Sequence, residues 1–165
     1  MSKPAADFAL SFVRELEGFR RELALFPDDA SIWKTIPGVT NSAGNLALHV
    51  AGNLQYFIGT VLGHTGYVRH RDVEFGRTSG LRDDVYAELD AASAVVMMVL
   101  PPLEMEALTG EYPERVMDTR FRTGAFLVHL CSHAAFHLGQ AGYLRRVLTG
   151  DATSSGPIPL GPLSL

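Results

Sequence analysis

Phe8, Phe12, Leu16, Phe19, Leu23 and Phe26 recur every three or four residues and stop at Pro27. Helical neighbours lie three and four residues apart, so this spacing places all six on one stripe of an α-helix. A proline disfavours helical backbone in the residue before it, so the helix ends there. The period returns in Leu46, Val50, Leu54, Phe57 and Val61, behind Asn41 or Ser42 as N-cap, and predicts a second helix running to about Gly63. A third helix starts near Leu81 to Asp84, with acidic residues in its first turn as the macrodipole favours, and breaks at Pro101-Pro102. A fourth, capped by Thr119 or Thr123, ends near Gly150. No segment alternates apolar and polar residues convincingly. The expected fold class is therefore all-α, a four-helix bundle in a single domain spanning 1–165, with an irregular tail over 151–165.

Two long loops join helices one to two and two to three. In PDDASIWKTIPGVTN, Trp33 and Ile36 are expected to anchor the chain to the core, and HTGYVRHRDVEFGRTSG is expected to lie over one end of the bundle. A chain of 165 residues can bury a core without disulfide or metal staples.

A net charge of −4 argues against a nucleic-acid partner, and Arg20-Arg21, Arg69 to Arg71 and Arg145-Arg146 are each too short to be more than a solvated face. The single cysteine, Cys131, rules out an internal disulfide framework and suits a reducing compartment. The N-terminal MSKPAADFAL has no apolar leader pattern, and AVVMMVLPPL is too short to span a bilayer. The expectation is a soluble cytoplasmic protein with no membrane partner.

The fourth helix carries the chemistry. In LVHLCSHAAFHLGQAGYLRR, His129, His133 and His137 are spaced by four residues, about 400° of rotation and about 6 Å of rise. Two imidazoles on adjacent turns can chelate one metal ion. All three cannot share it, because His129 and His137 are about 12 Å apart along the axis. A compact site needs a ligand from elsewhere, and His49 in NSAGNLALHVAGNLQYF is the candidate, with either adjacent pair of the stripe.

Three neutral imidazoles leave a divalent ion with open positions, which can lower the pKa of a bound water or thiol. Zinc is the default for such a set, and nickel binds well. His129 is read as a supporting or core residue beside the ligands, and Asn45, Asn53 and Gln140 as amides that line the pocket. Tyr56 and Tyr143 are read as core aromatics, and Cys131 as a small core hydrophobe facing away from the stripe.

No catalytic residue can be assigned. Ala134 stands where an H-E-x-x-H protease has its glutamate, and no nucleophile elbow, phosphate loop or dinucleotide fingerprint is present. Haem ligation by paired histidines is disfavoured by the absence of C-x-x-C-H and by a third converging histidine.

With its H-x3-H-x-G-Q pattern at His133, His137, Gly139 and Gln140, LVHLCSHAAFHLGQAGYLRR resembles the last helix of the DinB-like, or YfiT-like, metalloenzymes. LALHVAGNLQYFIG is similar to the second helix of that family. The likeness extends over the whole chain in helix order and length, and is specific in the two histidine-bearing helices. It implies an up-up-down-down bundle and a metal triad of His49, His133 and His137. It also implies thiol transfer to a small molecule, as in bacillithiol S-transferases and mycothiol-dependent maleylpyruvate isomerase. The alternative is a non-catalytic bundle that binds metal or a small ligand in a stress response.

From Ala91 to Leu103, AASAVVMMVLPPL has only Ser93 as a polar side chain, so this helix is apolar all round. Leu89, Ala92, Val96 and Val99 can face the core, which leaves Ala87, Ala91, Ala94, Val95 and Met98 outward. A homodimer on that face is expected, a pairing the family likeness also implies. The alternative cover is the tail, through Ile158, Leu160 and Leu163.

Overall fold

Helices α1 (Pro4–Ala24), α2 (Ala43–Leu54), α4 (Arg82–Val99) and α6 (Thr123–Thr149) form the bundle in a computed structural model that describes residues 4–156 and 159–163. A π-helical stretch, Gln55–Thr60, continues α2 without a break. Two short helices, α3 (Arg71–Gly76) and α5 (Met105–Thr109), lie in the connections. Among the described residues there is no strand, only isolated bridges between Glu111 and Arg122 and between Val116 and Thr119.

Ser42, not Asn41, opens α2. Its Oγ accepts the Asn45 N–H at 3.1 Å while Asn45 Oδ1 accepts the Ser42 N–H at 3.1 Å, a reciprocal capping box. Neither predicted threonine caps α6. Arg122 holds the cap position without a side-chain bond, Thr123 is already helical and buried, and Thr119 belongs to the small bridge with Val116. The Thr123 N–H instead donates to the Gly110 carbonyl at 2.9 Å, so loop backbone does the work expected of a side chain.

The contacts between helices set their directions. Gly18 meets Leu138 and Glu22 meets Arg145, so α1 and α6 run parallel. His49 meets His133 and Phe57 meets Phe126, so α2 and α6 are antiparallel. Arg20 pairs with Asp90 while Arg82 donates to the Phe26 carbonyl, so α1 and α4 are antiparallel. Gln55 bonds Glu88 and Gly59 meets Val95, so α2 and α4 run parallel. In chain order the bundle is up-down-down-up, which corrects the up-up-down-down arrangement implied by resemblance.

That topology explains the long second connection. Parallel α2 and α4 require the chain to travel back along the bundle between them. The segment 61–81 does so along the side of α2, not over one end as expected. Thr60 Oγ1 donates to the Tyr67 carbonyl at 2.7 Å near the bottom, and Asn45 Nδ2 donates to the Glu74 and Arg77 carbonyls at 2.9 and 2.7 Å near the top. Every residue of Ala43–Leu54 is consequently buried, enclosed by helices and by the returning chain.

The predicted stripes form the core. Phe12, Leu16, Phe19, Leu23 and Phe26 are buried and Phe8 is partly so, with Leu89, Ala92, Val96 and Val99 opposite them. Each such large side chain contributes about 1.5–3 kcal/mol on leaving water. The outer side of α4 remains open, with Met97 and Met98 exposed beside Ala87, Ala91 and Ala94.

The tail is clasped elsewhere. Arg145 is not part of a solvated face as expected: fully buried, it donates through Nε to Glu22 at 2.7 Å and through its terminal nitrogens to the Asp151 and Thr153 carbonyls. Ser155 closes onto Glu22 at 2.6 Å. Breaking such a buried pair typically costs about 3–5 kcal/mol, because the remaining charge is left unpaired. The clasp directs residues 151–156 along α1 and α6, and Leu160 is exposed; Ile158 lies outside the described residues. No helix among the described residues is long and apolar enough to cross a membrane.

Candidate metal centre

α2 and α6 cross so that three imidazoles meet edge to edge. His133 Nε2 lies 3.2 Å from His49 Nε2 and 3.1 Å from His137 Nε2. All three donor atoms fall within 4.8 Å of one another. Nitrogens bound at about 2.05 Å on a tetrahedral zinc are about 3.3 Å apart, and cis nitrogens on an octahedral ion are about 2.9 Å apart. The two separations from His133 match that range, and the His49 and His137 donors lie within 4.8 Å of each other. The triad can therefore hold a divalent ion through Nε2.

Ring orientation is imposed from behind. His49 Nδ1 is 2.9 Å from Glu74 Oε2, and His137 Nδ1 is 2.7 Å from Gln140 Oε1. Each acceptor draws the ring proton to Nδ1 and leaves the Nε2 lone pair facing inward, the arrangement that supports imidazole ligands in metal sites.

Glu74 is itself fixed. Arg69 donates Nε to Oε1 at 2.7 Å and Nη2 to Oε2 at 2.8 Å, a bidentate clamp. Arg69 Nη2 also lies 3.0 Å from His49 Nδ1. A guanidinium cannot accept a proton, so both nitrogens donate to the shared carboxylate oxygen. Burial alone would raise the Glu74 carboxyl, but the bonds from Arg69 and His49 outweigh it and hold it below the ordinary range. Gly52 makes room for this carboxylate: a Cβ there would stand 2.3 Å from Glu74 Oε1.

Electrostatics keep His133 and His137 neutral. Burial first, then the neighbouring histidines and Arg69, push His133 down to about 3. Burial lowers His137 also, against the opposing bond to Gln140. Neutral imidazole is the metal-binding form, so these shifts keep ligands available at neutral pH.

The remaining sequence candidates separate. His129 is exposed, stacks on Phe126 at 5.9 Å and stays 6.2 Å from the His133 ring, so it is no core residue and lies outside the converging group. Asn45 is occupied by the capping box and by α3, and Gln140 by His137. Asn53 lies one turn beyond His49, buried, with Oδ1 unpartnered among the described residues. Tyr56, on the π-helical stretch, donates to Glu114 at 2.9 Å, which together with burial raises its hydroxyl. Tyr143 is no core aromatic: it is 75% exposed, near the Arg146 guanidinium. Cys131 is partly buried, and desolvation pushes its thiol up to about 12.

Sequence reasoning missed Arg69, Glu74 and Glu114. Arg69 and Glu74 fall in a stretch read as loop, and α3 is too short to leave a helical period. The five-residue R-x4-E spacing carries no recognisable signal by itself.

An all-helical bundle with three converging imidazoles, two of them held from behind, defines a class: helical proteins with a candidate metal centre between two crossing helices. Within that class, the chain belongs to the family described as "Protein of unknown function (DUF1572)", which matches residues 8–161 and lies in the DinB/YfiT-like group. No curated protein and no solved structure matches the chain.

Proposed function

We propose that this protein is a divalent-metal enzyme, with zinc or nickel as the favoured ion, that activates a low-molecular-weight thiol for transfer to a small molecule. The observation that carries the reading is the convergence of three Nε2 atoms, with the opposite ring nitrogens of His49 and His137 engaged by Glu74 and Gln140. A bound ion would supply positive charge that lowers the pKa of a thiol or water in an open position. His49, His133 and His137 would hold it, Glu74 and Gln140 would keep the protons of His49 and His137 on Nδ1, and Arg69 would keep Glu74 ionised. Imidazole binds a metal in its neutral form, so three such donors would cancel none of the ion's charge.

The chain's own thiol is unsuited to the role. Cys131 lies on the opposite side of α6, partly buried and with its pKa raised, so its thiolate is scarce. The reactive sulfur would come from a small co-substrate. A cytoplasmic setting fits an unpaired cysteine, and a homodimer through the outer face of α4 fits the exposed Met97 and Met98.

One observation favours a second reading, a non-catalytic metal- or ligand-binding bundle. The carboxylate nearest the ligands, Glu74, is committed to Arg69 and His49 and cannot serve as a free base. Tag-free protein is assayed for bound metal, then for transfer of cysteine or glutathione to 1-chloro-2,4-dinitrobenzene. Metal-dependent transfer that disappears in His133→Ala supports the enzyme. Stoichiometric metal with no transfer above the uncatalysed rate supports the binding module instead.

A further inference from the structure

Beside the triad, the chain forms a cleft of about 390 Å³ between the loop ahead of α2 and the C-terminal half of α6. Ile36, Val39, Leu46, Tyr143 and Val147 make its walls mainly apolar, and Gln140 is the polar group in the wall nearest the histidines. The volume lies in the range of small-molecule sites, which pair apolar walls with a few directed polar groups.

Gln140 joins this cleft to the metal centre. Its Oε1 accepts from His137 Nδ1 at 2.7 Å, which fixes the amide's orientation. The Nε2 protons make no bond to another described residue, and as donors they remain for a molecule in the cleft. A ligand there with an acceptor against Gln140 would polarise the amide, and through Oε1 the His137 ring. Val147 and Tyr143 are 62% and 75% exposed, so the cleft opens to solvent and can be entered without unfolding.

We propose that this cleft binds the acceptor substrate: a small, mainly apolar molecule bearing a hydrogen-bond acceptor, carbonyl or oxyanion, directed at the Gln140 amide. The inference rests on the metal-centre reading above and adds the substrate class and its subsite. It also assigns Gln140 two roles, positioning His137 and sensing the occupant.

The test uses the full chain loaded with Co(II) and titrated with 8-anilinonaphthalene-1-sulfonate, an apolar probe carrying an oxyanion. Saturable one-to-one fluorescence is expected, weakened at least tenfold by Val147→Glu. Val128→Glu, a comparably exposed apolar position on α6 outside the cleft, should leave it unchanged. Probe binding should also shift the visible Co(II) absorption bands of the wild type but not of Gln140→Ala. Fluorescence equal in Val147→Glu and wild type comes from another surface and overturns the proposal, as does a Co(II) spectrum unmoved by saturating probe. Failure of Co(II) to bind at all would defeat the metal-centre reading separately, and Val147-dependence in the chelated protein would still decide whether the cleft takes such a ligand.

Discussion

His49 Nδ1 and Glu74 Oε2 lie 2.9 Å apart, one on α2 and the other on α3, and both are buried. This contact exists because α2 and α4 run parallel, which brings the connecting chain back past His49. Glu74→Ala should lower metal affinity about 10- to 100-fold, the usual effect of removing the group behind a ligating imidazole. Glu74→Gln, which keeps an acceptor but loses the charge, should fall between. Competition against a chromogenic chelator measures both. Affinities equal to wild type would show that Glu74 does not orient the ligand.

Gly52→Ala should destabilise the protein, although alanine ordinarily favours a helix interior by about 1 kcal/mol over glycine. The added Cβ would collide with Glu74 Oε1 and displace the carboxylate from His49. A lower melting temperature together with weaker metal binding is expected. A higher melting temperature with unchanged metal affinity would mean that the carboxylate has no fixed place there.

Cys131 should resist alkylation in the folded protein. With its pKa pushed up to about 12, its thiolate fraction at pH 8 is roughly 10³ lower than in an unfolded chain, where the group titrates near 9. The unfolded state then loses the proton first as pH rises. Stability from this group is full below about pH 9 and is lost progressively between 9 and 12. Iodoacetamide labelling followed by mass spectrometry, native against denatured, tests the first part. Stability of wild type against Cys131→Ala across that alkaline window tests the second. Equal labelling rates in the two states would contradict the burial.

The helices were legible because their stripes are long: five apolar residues in register over α1 leave no competing period. The start of α2 was legible to within a residue, as Asn41 or Ser42, and the reciprocal bonds between Ser42 and Asn45 select Ser42. Their directions were not, since loops of this length permit either sense and only packing selects one. The site was half legible. Spacing placed His133 one turn from both His129 and His137, and the choice between the pairs depends on how α2 is set against α6, a long-range fact. Glu74 and Arg69 were invisible for the same reason: they are neighbours of His49 only because of the topology.

A homodimer through α4 should form at micromolar concentration, with Met97, Met98 and the adjacent alanines at the contact. The described tail runs along α1 and α6, which leaves that face open, and Met98 is 59% exposed in the single chain. Light scattering should give the mass of two chains for wild type and of one folded chain for Met98→Glu. A monomeric wild type would end this account of the face.

The central claim is that one ion is held by His49, His133 and His137 and not by His129. Metal stoichiometry, determined by elemental analysis on tag-free protein after equilibration with zinc, tests it most directly. The account predicts close to one equivalent for wild type and for His129→Ala, and near zero for His49→Ala, His133→Ala and His137→Ala. Full occupancy in His133→Ala, or loss confined to His129→Ala, would contradict it.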